Sequence, residues 1–289
     1  MKITLPDNST RELPEGSSGY DLAKDIGPGL AKSAVAVIVD GEQKDLHDVI
    51  EGDSLVSIIT IDSDNGLEIM RHTLTAQVLA SALKNIYPNA RLAIGPTIDD
   101  GFYYDVESEV SISIDDLQKI ENEMKKIIST KSNITKKLSN KKDSLKVFKD
   151  LDEPYKEAII NESDQEENFQ LYYQDNDIFV DLCKGPHLPN LGFIGAFKLT
   201  RVSGAYWKGD SKNTMLTRIY GTAWNTEKDL EKYLNIIEEA QKRDHRKIGK
   251  EMDLFHFREE SPGSVFWHEK GCLLYTSDAA DEGLGVDLG

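Results

Sequence analysis

The sequence predicts an α+β protein built from more than one domain. Three observations lead there. Short apolar runs separated by turn residues fill the first 61 positions. One stretch, 68–87, then carries apolar residues at helical spacing. A second set of short apolar runs leads into a loop dense in reactive side chains, Asp181-Leu182-Cys183-Lys184-Gly185-Pro186-His187. At 289 residues the chain is long for one core, and 39% apolar content suffices for globular packing.

Lys2–Leu5 reads as a short strand and Pro6-Asp7-Asn8-Ser9 as a turn cluster. Tyr20–Ile26 is helical and is stopped by Gly27-Pro28-Gly29. Ala34–Val39 is an apolar strand turned into a hairpin at Asp40-Gly41, and Leu55–Ile61 closes the unit. Such short connections favour a β-grasp sheet holding one helix over a parallel sheet. No catalytic grouping falls here, so the unit reads equally as a docking module or a structural domain.

A polar linker is expected at 62–67, followed by the periodic helix. In that helix Met70, Leu74, Val78, Ala82 and Ile86 make one apolar stripe, and Pro88 ends it. His72 lies in the first turn, where a solvated helix residue is the plain alternative to a functional one. Arg91–Asp105 reads as strand, tight turn and strand; 115–128 as an amphipathic helix; and the lysine-rich stretch 130–142 as a solvated face. Leu171–Tyr173 and Ile178–Leu182 look like paired strands, the second delivering Cys183. Phe197–Val202, Gly204–Trp207 and Leu216–Tyr220 complete a mixed domain. A long helix over 226–250 opens on Thr226 as N-cap, with Leu230, Leu234, Ile237 and Ala240 on one face. Its last turns, Lys242–Lys247, form the best basic patch, suited to RNA or simply to the negative end of the helix dipole.

Cys183 and His187 are four apart, but Pro186 drives Gly185 out of the helical region, so a loop turns both side chains toward one point. A buried cysteine and a histidine brought together without function is an equal reading of these seven residues alone. The net charge of −17 argues against generic attraction to nucleic acid or anionic lipid, leaving any RNA contact to a local basic surface. Two distant cysteines suit a reducing compartment. The opening MKITLPDNST is too polar for a signal peptide, and no apolar run approaches the roughly 20 residues of a membrane span.

Several strings, taken in order, carry a resemblance: Arg71-His72, Ala93-Ile94-Gly95-Pro96, Gly101–Asp105, Asp181–His187, Gly204–Trp207, Arg218–Trp224, Arg243–Lys247, Met252-Asp253-Leu254 and Phe266-Trp267-His268. Over residues 1 to about 271 the chain resembles the bacterial threonyl-tRNA synthetase family. The resemblance implies a TGS β-grasp domain at 1–61, an editing domain of the second-additional-domain type at 62–225, a linker helix at 226–250 and the start of a class II core at 251–271. Residues 272–289 do not fit the family and are expected to be an artefactual or disordered tail. The full-length family joins threonine to tRNA-Thr with ATP, using magnesium and a zinc ion in the catalytic core. This segment would proofread by hydrolysing mischarged seryl-tRNA-Thr, without a cofactor. The same strings are compatible with a free-standing editing factor or a catalytically eroded tRNA-binding module. A cytoplasmic protein with no membrane association is expected, monomeric here although the full-length family is a homodimer.

The resemblance also implies a site. His72 and His187 would orient water or the terminal ribose; Lys156 would hold the substrate amine at a distance or stabilise the leaving oxygen; Asp181 would accept hydrogen bonds from the substrate; Tyr104 would supply a wall and a hydroxyl. Cys183 is expected to shape the site or position water rather than act as nucleophile. A rival reading makes His72, Cys183 and His187 zinc ligands. Gln77 stands where the family has a second helix histidine, one residue further from His72 than the family spacing. Five residues turn a straight α-helix about 140° past alignment. The helix is therefore expected to start after His72, or to absorb the extra residue in a π-bulge.

Overall fold

In a computed structural model that describes residues 1–274 and 276, the N-terminal sheet has five strands. Their order is Thr10–Glu12, Lys2–Thr4, Ser54–Thr60, Ala34–Val39, Glu42–Asp45. Lys2–Thr4 and Ser54–Thr60 pair in parallel at the centre and the remaining pairs are antiparallel, the β-grasp arrangement. Asp40 and Gly41 both take positive φ, 51° and 91°, as a two-residue hairpin loop requires. The helix Gly19–Ile26 is opened by a reciprocal Ser18–Asp21 capping box and buries Leu22 and Ala23 against the sheet core of Ile3, Val37 and Val56. Gly27 ends it as expected, but Pro28 immediately opens a second short helix, Pro28–Ser33, which the sequence reading lacked.

Ser63 caps a helix that already begins at Asp64, so the expected linker shrinks to a few residues. The backbone stays helical to Ile86, with Leu74–Leu79 in π geometry. The extra residue between His72 and Gln77 is thus absorbed within a π segment, one of the two expected solutions. Met70, Leu74, Val78 and Ala82 are fully buried, but so are Thr73, Thr75 and Gln77 on other faces. This helix is enclosed rather than amphipathic. Buried Arg71 ties it to the surrounding sheet, donating to the carbonyls of Ala223 (3.0 Å) and Asp99 (2.7 Å).

Two sheets flank it. Ala196–Tyr206, Met215–Trp224, Gly101–Glu107 and Arg91–Leu92 follow one another in the larger, with Thr97–Ile98 folded back on Gly101–Glu107. The smaller orders Val180–Leu182, Phe169–Gln174 and Ile134–Ser139, all antiparallel. Ile134–Ser139 corrects the reading of 130–142 as merely solvated. Ile134 is buried and the strand pairs residue for residue with Phe169–Gln174. A helix over Lys141–Asp150, capped by Asn140, was also not foreseen.

The contacts divide the chain at Leu230, inside the helix Glu227–Lys242. The single helix expected over 226–250 is two, because Asp244 leaves helical geometry and caps His245–Glu251 through the Arg246 amide. Beyond Leu230 the apolar face stays open, with Ile237 and Ala240 exposed. The basic patch is locally neutralised: Lys242 and Arg243 pair with Glu239, and Arg246 with Asp244. A hairpin, Phe255–Arg258 with Ser261–Trp267, follows. Of the tail expected to be disordered, 272–274 and 276 are helical and the rest lies outside the described residues. Among the described residues no helix is long and apolar enough to cross a membrane.

Candidate active site

Val180–Leu182 delivers the reactive loop, and its pairing continues one residue further through the Cys183 amide to the Gln170 carbonyl, 3.2 Å. Gly185 has φ of 66° and sits where a Cβ would lie 2.0 Å from the Tyr172 hydroxyl, so only glycine fits. A cis Gly185–Pro186 bond follows. The chain then enters the interior at His187, which is 2% exposed.

There it meets the first helix. His72 Nε2 lies 2.7 Å from Cys183 Sγ, and the His72 and His187 rings stack 4.6 Å apart at 16°. Thr73 fixes the His187 tautomer. Its hydroxyl donates to the Ile69 carbonyl (2.9 Å), so it must accept from both the Leu188 amide (2.9 Å) and His187 Nδ1 (3.1 Å). His187 therefore carries its proton on Nδ1, and its Nε2 lone pair is buried without a partner among the described residues. Nearby, Lys156 Nζ lies 2.5 Å from Asp181 Oδ1, both side chains almost wholly buried. Asp181 also accepts the Leu182 amide at 2.8 Å.

These groups bound a cavity of about 670 Å³. His72, Lys156, Asp181 and Cys183 line it, with Ala76, Gly95 and Pro96 as apolar wall. His187 does not; it stands one layer deeper, behind His72. Tyr104 is also outside the lining, fully buried beneath Gly95, its ring 5.9 Å from Lys156 Nζ. Gln77, expected to face the substrate, is fully buried with both amide atoms unpartnered among the described residues, while Ala76 takes the lining position. The π segment keeps the helix continuous, yet the residue presented to the cavity is Ala76. Sequence reasoning missed Thr73, Tyr172 and Asp45. Thr73 could have been suspected beside His72; nothing local marks Asp45, 142 residues from the His187 amide it accepts.

Burial dominates the electrostatics. It pulls the His72 imidazole down to about 4, against a smaller upward pull from Asp45, and holds His187 well below the usual histidine range. It pushes the Cys183 thiol up to about 12. It also raises the Asp181 carboxyl, which the Lys156 ammonium partly offsets. At neutral pH the His72–Cys183 contact is accordingly a neutral thiol–imidazole pair. Because both histidines bind protons more weakly folded than unfolded, their contribution to stability is complete above the ordinary histidine pKa of 6.5 and lost as pH falls below it, for His72 through about 4. Thermal unfolding of the protein without added metal is expected to show Tm falling progressively from pH 7 to 4.5. Replacing His72 by Gln should flatten that slope.

The three candidate zinc donors lie within 4.8 Å of one another. As placed they do not fit one tetrahedral ion. Zinc bonds of about 2.0 Å to nitrogen and 2.3 Å to sulfur separate the two ligand atoms by about 3.6 Å. His72 Nε2 and Cys183 Sγ are at hydrogen-bond distance, 2.7 Å. Near-parallel stacked rings also share no point in both ring planes where an ion could sit.

A β-grasp module joined to a mixed α+β domain that encloses a Cys–His cavity describes a two-domain protein with one candidate active site. Residues 1–60 match the TGS domain family, and 170–220 match the threonyl and alanyl tRNA synthetase second additional domain. The chain is 50% identical over 273 residues to the threonine–tRNA ligase of Hahella chejuensis, covering 94% of this chain and 42% of that protein. It is 48% identical over 275 residues to that of Paracidovorax citrulli and 50% over 277 to that of Paramagnetospirillum magneticum, covering 95% of this chain and 43% of each relative. The chain thus carries the TGS domain and the second additional domain and is similar to the N-terminal part of threonine–tRNA ligases. It spans about two fifths of the length of these curated relatives.

Proposed function

We propose that this segment hydrolyses a seryl ester on the 3′ end of tRNA-Thr. The observation that supports it is one cavity lined by both a neutral His72–Cys183 pair and the buried Lys156–Asp181 pair. A threonine-selective ligase needs such a reaction. One methyl in an apolar contact discriminates by roughly 1–3 kcal/mol, the general figure for synthetases of small side chains, too little for faithful translation.

In the proposed reaction, water adds to the ester carbonyl and gives its proton to His72 Nε2, the Cys183 thiol turning aside to admit the water. Lys156, its position fixed by Asp181, keeps N–H donors for the carbonyl oxygen or for the departing ribose oxygen. Collapse expels that ribose oxygen, which takes the proton from His72, leaving serine and deacylated tRNA. His187 keeps the His72 ring in place by stacking. Ala76, Gly95 and Pro96 bound the space into which the extra methyl of threonine would project.

The domain limits 1–61 and 62–225 go with this proposal. Where such a segment is joined to a catalytic core like its relatives', the whole is proposed to be a cytoplasmic homodimer ligating threonine to tRNA-Thr with ATP and magnesium, zinc residing in that core. The chain's own hydrolysis is proposed to need no metal; stoichiometric zinc in the purified protein, lost in Cys183→Ala, would overturn that.

The direct test incubates the purified chain with seryl- and threonyl-tRNA-Thr. Serine should be released at least about 100-fold faster than threonine, the range accessible to a size-excluding pocket. Unpartnered Gln77 and the small Ala76 favour one other reading, an eroded tRNA-binding module; tight tRNA binding with no esterase activity would select it.

A further inference from the structure

The His187 loop is held from outside its own domain. Asp45 ends the last strand of the β-grasp sheet, Glu42–Asp45, and its carboxylate meets three groups of the accessory domain. Oδ1 accepts the backbone N–H of His187 at 2.8 Å. Oδ2 accepts the Tyr172 hydroxyl at 2.7 Å and pairs with Lys136 Nζ at 2.9 Å. Tyr172 in turn packs its ring edge-on against His187, centroids 4.4 Å apart at 68°, and its hydroxyl lies where any side chain on Gly185 would be. Both the backbone and the ring of His187 are therefore referenced to one carboxylate 142 residues away.

The geometry points to Asp45 as a positioning residue for the hydrolytic cavity, through which the TGS domain fixes the Cys183–His187 loop. Asp45 touches neither the cavity nor His72. Its effect passes through His187 to the stacked His72 ring and through Gly185 to Cys183, whose Sγ accepts the Gly185 amide at 3.4 Å. Lys136 and Asp48 complete the charge balance: Lys136 also pairs with Asp48, so the Asp45 carboxylate is only one of two anions on that ammonium. A plain interdomain ion pair would need only Lys136. The bonds to the His187 amide and the Tyr172 hydroxyl make the arrangement specific to the loop.

The catalytic consequence rests on the hydrolytic reading; the structural one does not, so two measurements separate them. Iodoacetamide labelling followed by mass spectrometry reports loop opening at Cys183, with exposed Cys272 as internal standard. Asp45→Ala is expected to speed Cys183 labelling by about tenfold or more relative to Cys272, through loss of charge-assisted hydrogen bonds to the loop. Asp45→Asn, which retains an acceptor for the His187 amide, should restore labelling to within about threefold of wild type. Tyr172→Phe, which removes one arm only and guards against a poorly folding Asp45 variant, should fall between them. In seryl-tRNA hydrolysis Asp45→Ala should lower kcat by about 10- to 100-fold with KM within about twofold, as expected when a catalytic group is displaced but the substrate still binds. Labelling at wild-type rate in both Asp45→Ala and Tyr172→Phe would overturn the inference even if hydrolysis were observed. Faster labelling in a chain whose wild type releases no serine would sustain it while the hydrolytic reading fell.

Discussion

Seryl-tRNA hydrolysis is expected to fall about 100- to 10,000-fold in His72→Ala, the usual contribution of a positioned proton acceptor. Cys183→Ala should stay within about tenfold of wild type, because it removes a competitor for His72 Nε2 rather than a nucleophile. The two side chains touch at 2.7 Å, the contact a nucleophile and its base would make. Their surroundings say otherwise. A reactive cysteine is ordinarily depressed by a nearby cation or helix N-terminus. Here burial pushes the thiol up to about 12 and the imidazole down to about 4, so a thiolate–imidazolium pair is strongly disfavoured. Initial rates at pH 7, with tRNA binding measured separately, check both variants. A Cys183→Ala loss as large as that of His72→Ala would show that the thiol attacks the ester.

Lys156→Met should cost about 3–5 kcal/mol of stability, the penalty for stranding a buried partner charge. Lys156 and Asp181 are 4% and 3% exposed, and the ammonium is the cation at hydrogen-bond distance from the carboxylate. Without it, Asp181 must ionise uncompensated or hold a proton at neutral pH. Urea unfolding of the isolated variant measures the loss. Lys156→Met combined with Asp181→Leu should recover most of it while remaining inactive, since apolar groups can replace a buried pair at little cost. A double variant as unstable as Lys156→Met alone would locate the defect in packing, not charge. Recovery of stability without activity would in turn assign the pair a role in the reaction.

Much of the fold was legible because it depends on local rules. Asp40-Gly41 demanded a tight hairpin, and both residues take the positive φ that such a turn needs. The extra residue between His72 and Gln77 could not fit a straight helix with both side chains on one face; the backbone absorbs it in a π segment, with Ala76 rather than Gln77 facing the cavity beside His72. Other elements were misread where a local pattern was ambiguous. The lysine-rich stretch 130–142 looked solvated, yet Ile134–Ser139 pairs along its whole length with Phe169–Gln174, a partner far along the chain. Asp244 read as one member of a basic run, whereas its backbone leaves helical geometry and its side chain caps the next helix.

By itself the sequence determined the α+β class, the β-grasp order and the loop that carries Cys183 and His187, because periodicity, turn chemistry and Gly-Pro act over a few residues. Only the tertiary structure decided which groups face the cavity. It placed His187 behind His72, withdrew Tyr104 and Gln77, and presented Ala76 instead. It also brought Asp45 to the His187 amide. Orientation of that kind depends on helix phase and on contacts between distant segments. Desolvation does too, and it is what leaves His72 and Cys183 neutral at working pH.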